Sequence, residues 1–299
     1  MSSTKPMNKI ETVAVIGAGV IGKASGLSYR SKSRNVYFID TDNKRVRELR
    51  AEGLEIYTPQ EAENIAIADV NFMCVPTPTV NGKFDNSYIK KASEDFGKRL
   101  ANSDKYCVVV VRSTVLPGTT RDLVIKTIEK ASGKKAGQEF GVCMNPEYLR
   151  EVSAAADASN PWFILIGEYD QKSGEYVSDV YKDFGQSIER VSLEEAEIQK
   201  YIHNLFNATK IAYFNEFRIV CQSLGANTQK ILDFVAKSCE GMWNPKYGIK
   251  DLGPFDGHCL PKDTQALLSW ARKRKLKLKI LDATIRSNAD YKASSSLKK

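Results

Sequence analysis

Through the first half of the chain, apolar residues gather in short, nearly unbroken runs instead of alternating with polar ones. TVAVI, NVYFID, VNFMCVP, YCVVVVRST, EFGVCM and WFILIGE follow one another at intervals, separated by polar stretches. Runs apolar on both faces predict buried strands of a largely parallel sheet covered by helices. The pattern changes at Ser192. From there to Gly225 no proline interrupts a sequence with apolar residues at helical spacing. Ser192 with Glu195 forms a capping box, and Gly225 supplies the stop, so one helix of about thirty residues is predicted. The expected architecture is α/β, a Rossmann-type doubly wound parallel sheet over residues 1–190. An all-helical domain with a long central helix, residues 191–299, follows it. On that helix Lys200, Asn204, Ile211 and Asn215 fall within about 60° of one another. Spacing alone leaves open whether this stripe faces water, packs on a helix or serves chemistry.

The first strand runs into a turn with chemical content. TVAVIGAGVIG carries Gly17, Gly19 and Gly22 in a G-x-G-x-x-G spacing between strand and helix. Gly17 permits the tight turn, Gly19 lets the backbone approach a pyrophosphate, and Gly22 lets the helix pack on the strand. The second strand ends at Asp40, placed to accept hydrogen bonds from ribose hydroxyls and to repel a 2′-phosphate, so NAD is the expected cofactor. Arg45 and Thr77 complete the residues expected at the cofactor. Loops after parallel strands lie at the carboxyl edge of the sheet, where ligands bind. Thr77, Thr114, Asn145, Glu147 and Glu151 sit in such loops.

Charge adds little. The chain has 44 basic and 36 acidic residues, a net of +8. That mild excess suits an anionic cofactor or a phosphorylated substrate. The densest basic run, ARKRKLKLKI (271–280), lacks interleaved aromatic residues and reads as a short solvated strand or turn, so no nucleic acid is expected. Six cysteines without a C-x-x-C pair, and only two histidines, argue against a metal site. No signal peptide is read at the start and no apolar run reaches membrane length, so a cytoplasmic protein with free thiols is expected and no membrane partner.

Several motifs in one order carry a resemblance. GAGVIG, VPTPTVNGKFD, RSTVLPGTT, NPEYLRE, EAEIQKYIHN and GHCLPKDT resemble the UDP-glucose/GDP-mannose dehydrogenase family over roughly residues 11 to 291. The resemblance implies NAD-dependent, twofold oxidation of the C6 alcohol of a nucleotide sugar to a carboxylate, most simply that of UDP-glucose. It implies Cys259 as nucleophile, with Lys200, Asn204 and Asp263 around it. Glu147 and Glu151 would serve the hydrolytic step and positioning, and Thr114 would hold a water or contact the cofactor. It also implies a homodimer through the long helix. Taken alone, Cys259 would read as a packing residue. A thiolate makes sense of the partners, since an aldehyde yields a second hydride only after becoming tetrahedral. Lys200 or Lys262 would lower the thiol pKa.

The chain departs from the family pattern in three places. The cysteine loop reads GPFDGHC, with Asp256 for a glycine and His258 for a serine, which puts the sugar in question. The stretch after the second strand is short. The sequence also ends before a third domain that binds the nucleotide, so a shortened member, a fragment or a site completed by another chain are all expected possibilities. Two other readings stand beside this one. One is a β-hydroxyacid or 6-phosphogluconate type dehydrogenase, which needs no cysteine. The other is a non-catalytic NAD-binding protein.

Overall fold

The computed structural model of the chain describes residues 10–248, 254–257 and 259–296. Its strands are β1 (Thr12–Ile16), β2 (Asn35–Ile39), β3 (Ile56–Tyr57), β4 (Val70–Met73), β5 (Thr79–Val80), β6 (Lys83–Phe84), β7 (Val108–Val111), β8 (Gly141–Met144), β9 (Ile164–Glu168) and β10 (Ile188–Ser192). Eight of them form one sheet in the order β10-β9-β8-β7-β4-β1-β2-β3. From β3 to β8 every neighbour is parallel. This is the doubly wound order, and it reverses between β1 and β4, where such sheets bind their ligands. β9 pairs antiparallel with β8, and β10 then pairs parallel with β9.

The unbroken apolar runs are explained by burial on both faces. β4, β7 and β8 are buried along their whole length. Alternate residues serve opposite layers, as the two-residue period of a strand requires. Val108 and Val110 join a core with Tyr29, Phe38, Phe72 and Val177. Val109 and Val111 join another with Ile89, Phe96 and Ile128. Helices Val20–Ser31 and Gln171–Tyr181 supply the first layer, and helices Ser87–Ala101 and Lys126–Ser132 the second.

Two elements differ from the sequence reading. The polar stretch 76–82 holds the start of a hairpin, β5 against β6, turned by Asn81 and Gly82 with φ of 50° and 73°. The basic run 271–280 forms no strand. It is the end of helix Cys259–Lys273, a turn at Lys275 (φ 59°), and the start of helix Lys279–Ser296. Leu278 is buried there with Val220, Leu268, Ala271 and Leu281. The apolar positions of the run therefore face a helical core, and Glu216 accepts the Ile280 amide at 2.7 Å to cap the last helix.

The chain divides into two compact units, Met1–Ile202 and His203–Lys299. The long helix, Leu193–Ser223, has 31 residues and begins in the first unit. Its capping box forms as the sequence requires: Ser192 N–H donates to Glu195 Oε2 at 2.8 Å and Glu195 N–H to Ser192 Oγ at 3.3 Å. Gly225 follows with φ of 63°. No helix among the described residues is long and apolar enough to cross a membrane.

Candidate active site

The glycine turn opens where β1 and β4 part. Gly17 N–H donates to Ile39 O at 2.8 Å, and Cys74 N–H to Ile16 O at 2.7 Å. Gly17 has a φ of 96°, and a Cβ there would lie 2.5 Å from Cys74 O. A Cβ on Gly22 would lie 1.9 Å from Gly17 O. No side chain fits at either position without moving the backbone. Gly19 is the opposite case, since nothing lies within 4 Å of a Cβ built on it. It is the N-cap of helix Val20–Ser31, and no side chain caps that end. Its first amides are left for an anion, helped by the positive end of the helix dipole.

Asp40 sits at the end of β2 against this turn. Its carboxylate accepts the Ala18 amide at 2.6 Å and the Asp42 amide at 2.9 Å. Arg45 Nε donates to Ala18 O at 3.2 Å, so Arg45 braces the same loop. A cavity of about 360 Å³ lies beside them, lined among others by Gly17, Gly19, Asp40, Pro59, Ala62 and Tyr88. A second, of about 300 Å³, is lined by Gly19, Gly22, Thr77, Arg112, Thr114 and Glu147. The two share Gly19, Cys74, Val75 and Pro76. An uncapped helix, an open glycine and a two-lobed groove fit a dinucleotide whose pyrophosphate crosses the turn.

The second lobe gathers several predicted residues. Thr77 Oγ1 donates to Thr114 O at 2.8 Å. Lys200 is only 4% exposed. Its ammonium donates to Glu147 O and pairs with Glu147 Oε1 at 3.3 Å, with the Tyr148 ring 5.2 Å away. Burial pulls Lys200 below its ordinary pKa, and Glu147 opposes that. Asn145 follows β8 and is buried. Glu151 opens the short helix Glu151–Ser153, and its side chain lies outside the described residues. Just before it, Arg150 is clamped by Asp157, with Nε at 3.0 Å and an ion pair at 2.6 Å.

Two groups here escaped the sequence reading. Arg112, buried, donates to Ser25 Oγ at 3.0 Å, to Asn145 Oδ1 and to Tyr181 OH at 2.9 Å. The signal was a cation directly after an apolar strand. Glu197, fully buried one helical turn before Lys200, accepts the Gly118 amide at 2.5 Å and the Thr120 amide at 2.8 Å. Burial raises its carboxyl above the usual range, against those donors. It fastens the loop that carries Thr114 to the helix that carries Lys200.

Asn204, Cys259 and Asp263 belong to the second unit. Asn204 is exposed on the long helix. Cys259, also exposed, opens the described helix Cys259–Lys273. Asp263 follows at i+4, on the same face. Lys262 pairs with the Asp263 carboxylate, which takes up the charge expected to act on the thiol. Ahead of the helix, Phe255 is pinned by Asn288, which accepts its amide at 2.7 Å and donates to its carbonyl at 2.9 Å. Gly253 and His258 of the GPFDGHC loop lie outside the described residues.

Comparison with known proteins adds a separate line. The model of the UDP-glucose/GDP-mannose dehydrogenase family, NAD binding domain, matches residues 11–185. That of the same family's central domain matches residues 194–290. A GDP-mannose 6-dehydrogenase of Pseudomonas putida is 37% identical over 232 residues, covering 77% of this chain and 53% of that protein. A UDP-glucose 6-dehydrogenase of Bacillus subtilis is 32% identical over 299 residues, covering 93% and 63%. The chain thus spans little more than half the length of the first and under two thirds of the second. The crystal structure of a ternary complex of GDP-mannose dehydrogenase from Pseudomonas aeruginosa superposes with a TM-score of 0.85 at 29% identity, covering 93% of this chain and 68% of that one.

Proposed function

The chain belongs to the UDP-glucose/GDP-mannose dehydrogenase family, and we propose that it works as an NAD-dependent nucleotide-sugar 6-dehydrogenase. The proposed substrate is a nucleoside-diphosphate hexose, whose C6 alcohol passes through an aldehyde to a carboxylate. The observation that carries this reading is the cleft beside the glycine turn, where Thr77, Thr114 and Glu147 line one wall and the Lys200 ammonium rests on Glu147. NAD, when bound, accepts the hydrides. The amides after Gly19 and the Asp40 carboxylate would hold it, with Arg45 bracing the turn.

The chain's own residues divide the remaining work. Lys200 stabilises the negative oxygen that develops at C6, and Asn204 donates a hydrogen bond to it. The Cys259 thiolate adds to the aldehyde carbon, forming a C–S bond and leaving the carbonyl oxygen as the oxyanion. Loss of hydride from that carbon leaves a thioester. Asp263 or Glu147, with Glu151 nearby in sequence, takes a proton from water. The water oxygen attacks the thioester, and the C–S bond breaks to return the thiolate. Support for Cys259 is its exposed place at the first turn of a 15-residue helix, four residues before Asp263.

A homodimer through the long helix is part of the proposal. Ile202, Leu205, Phe206 and Ile211 on that helix are 60–63% exposed, an apolar surface that asks for a cover. Sedimentation at micromolar concentration should give a dimer, and a monomer throughout would remove this part of the reading.

UDP-glucose is the substrate expected from the sequence, and the identity to GDP-mannose 6-dehydrogenases brings GDP-mannose beside it. The test is NADH formation with UDP-glucose, GDP-mannose, UDP-N-acetylglucosamine and UDP-N-acetylmannosamine. The expected result is two NADH per sugar with one of them. One NADH per sugar would favour a single-step dehydrogenase, and binding of NAD without turnover would favour a non-catalytic protein.

A further inference from the structure

Arg112 is a charged residue of the cleft that the reaction above does not use. It follows β7 directly and is 7% exposed. Its partners are neutral: Ser25 Oγ at 3.0 Å, Asn145 Oδ1, and Tyr181 OH at 2.9 Å. Among the described residues no carboxylate forms an ion pair with it. Those partners are themselves fixed. Tyr181 OH donates to Asn145 Oδ1 at 2.7 Å and shares a hydrogen bond with Tyr29 OH at 2.7 Å. Asn145 Nδ2 donates to Leu165 O at 2.7 Å. One guanidinium therefore joins the helix of the glycine turn, through Ser25, to the loop that presents Glu147, through Asn145.

A buried cation without a carboxylate is costly, because its desolvation is not repaid by a full opposite charge. A tether alone would be served by a neutral side chain. The charge has an object nearby: Arg112 and Glu147 line the same two cavities, and Glu147 already receives Lys200. Two buried cations thus lie by one carboxylate, and Lys200 is the one paired with it.

We propose that Arg112 is a positioning residue for the cleft, holding the Glu147 loop in place and competing with Lys200 for the charge of Glu147. The inference deepens the reading above, in which Lys200 is a working group. Its consequence is electrostatic. A second positive charge makes Lys200 release its proton more readily, so the ammonium can share that proton with a developing oxyanion. The directions agree. Burial lowers Lys200 first, Glu147 opposes it, and Arg112 lowers it further. For Arg112 burial opposes the charge, and the nearby Glu147 carboxylate is a group that favours it. Glu147, Arg112 and the Tyr148 ring are the groups of the first unit that face Lys200.

The test reads Lys200 without requiring turnover. Competitive acetylation by acetic anhydride across pH, followed by mass spectrometry, gives the midpoint at which the Lys200 amine becomes reactive. In Arg112→Gln that midpoint should rise by about one pH unit. In Arg112→Lys, which keeps the charge and loses the fork, it should stay within a few tenths while kcat falls about tenfold and KM for NAD is unchanged. Should Arg112→Gln fail to fold, Asn145→Asp gives the same reading. A carboxylate beside the guanidinium cancels its charge, and the Lys200 midpoint should again rise. An unmoved midpoint in the neutralised protein, or an equal rise in Arg112→Lys, would overturn the inference. A wild-type protein that turns over no nucleotide sugar would instead defeat the proposed reaction and leave the labelling result to stand by itself.

Discussion

Replacing Cys259 by serine is expected to lower steady-state NADH formation by at least about a thousandfold, while NADH still binds. The sulfur is the protein atom that forms and breaks a bond to the sugar in the proposed scheme. Serine keeps the volume but has no comparable nucleophilicity at neutral pH, so the aldehyde never becomes a substrate for the second hydride loss. The chain offers a set of internal controls. Cys107, just before β7, and Cys143, in β8, are buried, and burial pushes the Cys107 thiol up to about 12 and Cys143 well above its usual range. Burial therefore disfavours the thiolate at both. Cys239 is exposed like Cys259 and stands between helix Thr228–Ser238 and the one-turn helix Glu240–Trp243, but it has no part in the proposed scheme. Cys239→Ser should therefore retain turnover. Two NADH per sugar from Cys259→Ser would exclude the thiohemiacetal route, and full activity with one NADH per sugar would leave a single-step dehydrogenase as the better reading.

The strands that were legible are those whose burial on both faces leaves no polar position to confuse the pattern, such as Val108–Val111. The long helix was legible because its cap residues are local: Ser192 and Glu195 bond each other across one turn. What was not legible depends on partners distant in sequence. β10 reads IERVS, with no buried residue, and is a strand because it pairs with β9 and Arg190 meets Glu168 at 2.6 Å. The antiparallel turn of β9 cannot be read from its residues, because an apolar run is the same in either direction. In the site, Gly17, Gly19, Gly22 and Asp40 were legible as a spacing, since turn, helix start and second strand are fixed by short-range geometry. Arg112 and Glu197 were missed for the opposite reason. Each is a charged residue buried by contacts 87 and 77 positions away, and a charged residue in isolation reads as surface.

Lys200→Met should lower kcat by roughly 10²–10³-fold with the KM for NAD changed little. The ammonium bonds Glu147 O and Oε1, and in the proposed scheme its removal takes away the charge opposite the developing oxyanion. The stability of the protein should move far less than its rate, because two effects oppose each other. Burial lowers the Lys200 pKa, so for this base the charged form is disfavoured in the folded state. Its linkage term favours folding more as pH rises from the folded pKa to the unfolded one, and the charge costs stability below that window. Methionine removes that cost. It also leaves the Glu147 carboxylate without its partner, which costs stability in return. The melting temperature at neutral pH should accordingly shift by no more than about a few degrees, and its dependence on pH in the alkaline range should flatten. Lys200→Arg should not restore the rate, since a planar fork on a longer stem does not reproduce a point charge held between one carbonyl and one carboxylate. A Lys200→Met protein that melts normally and keeps its full kcat would remove Lys200 from the chemistry. One that loses activity only because it no longer folds would assign it a structural role instead.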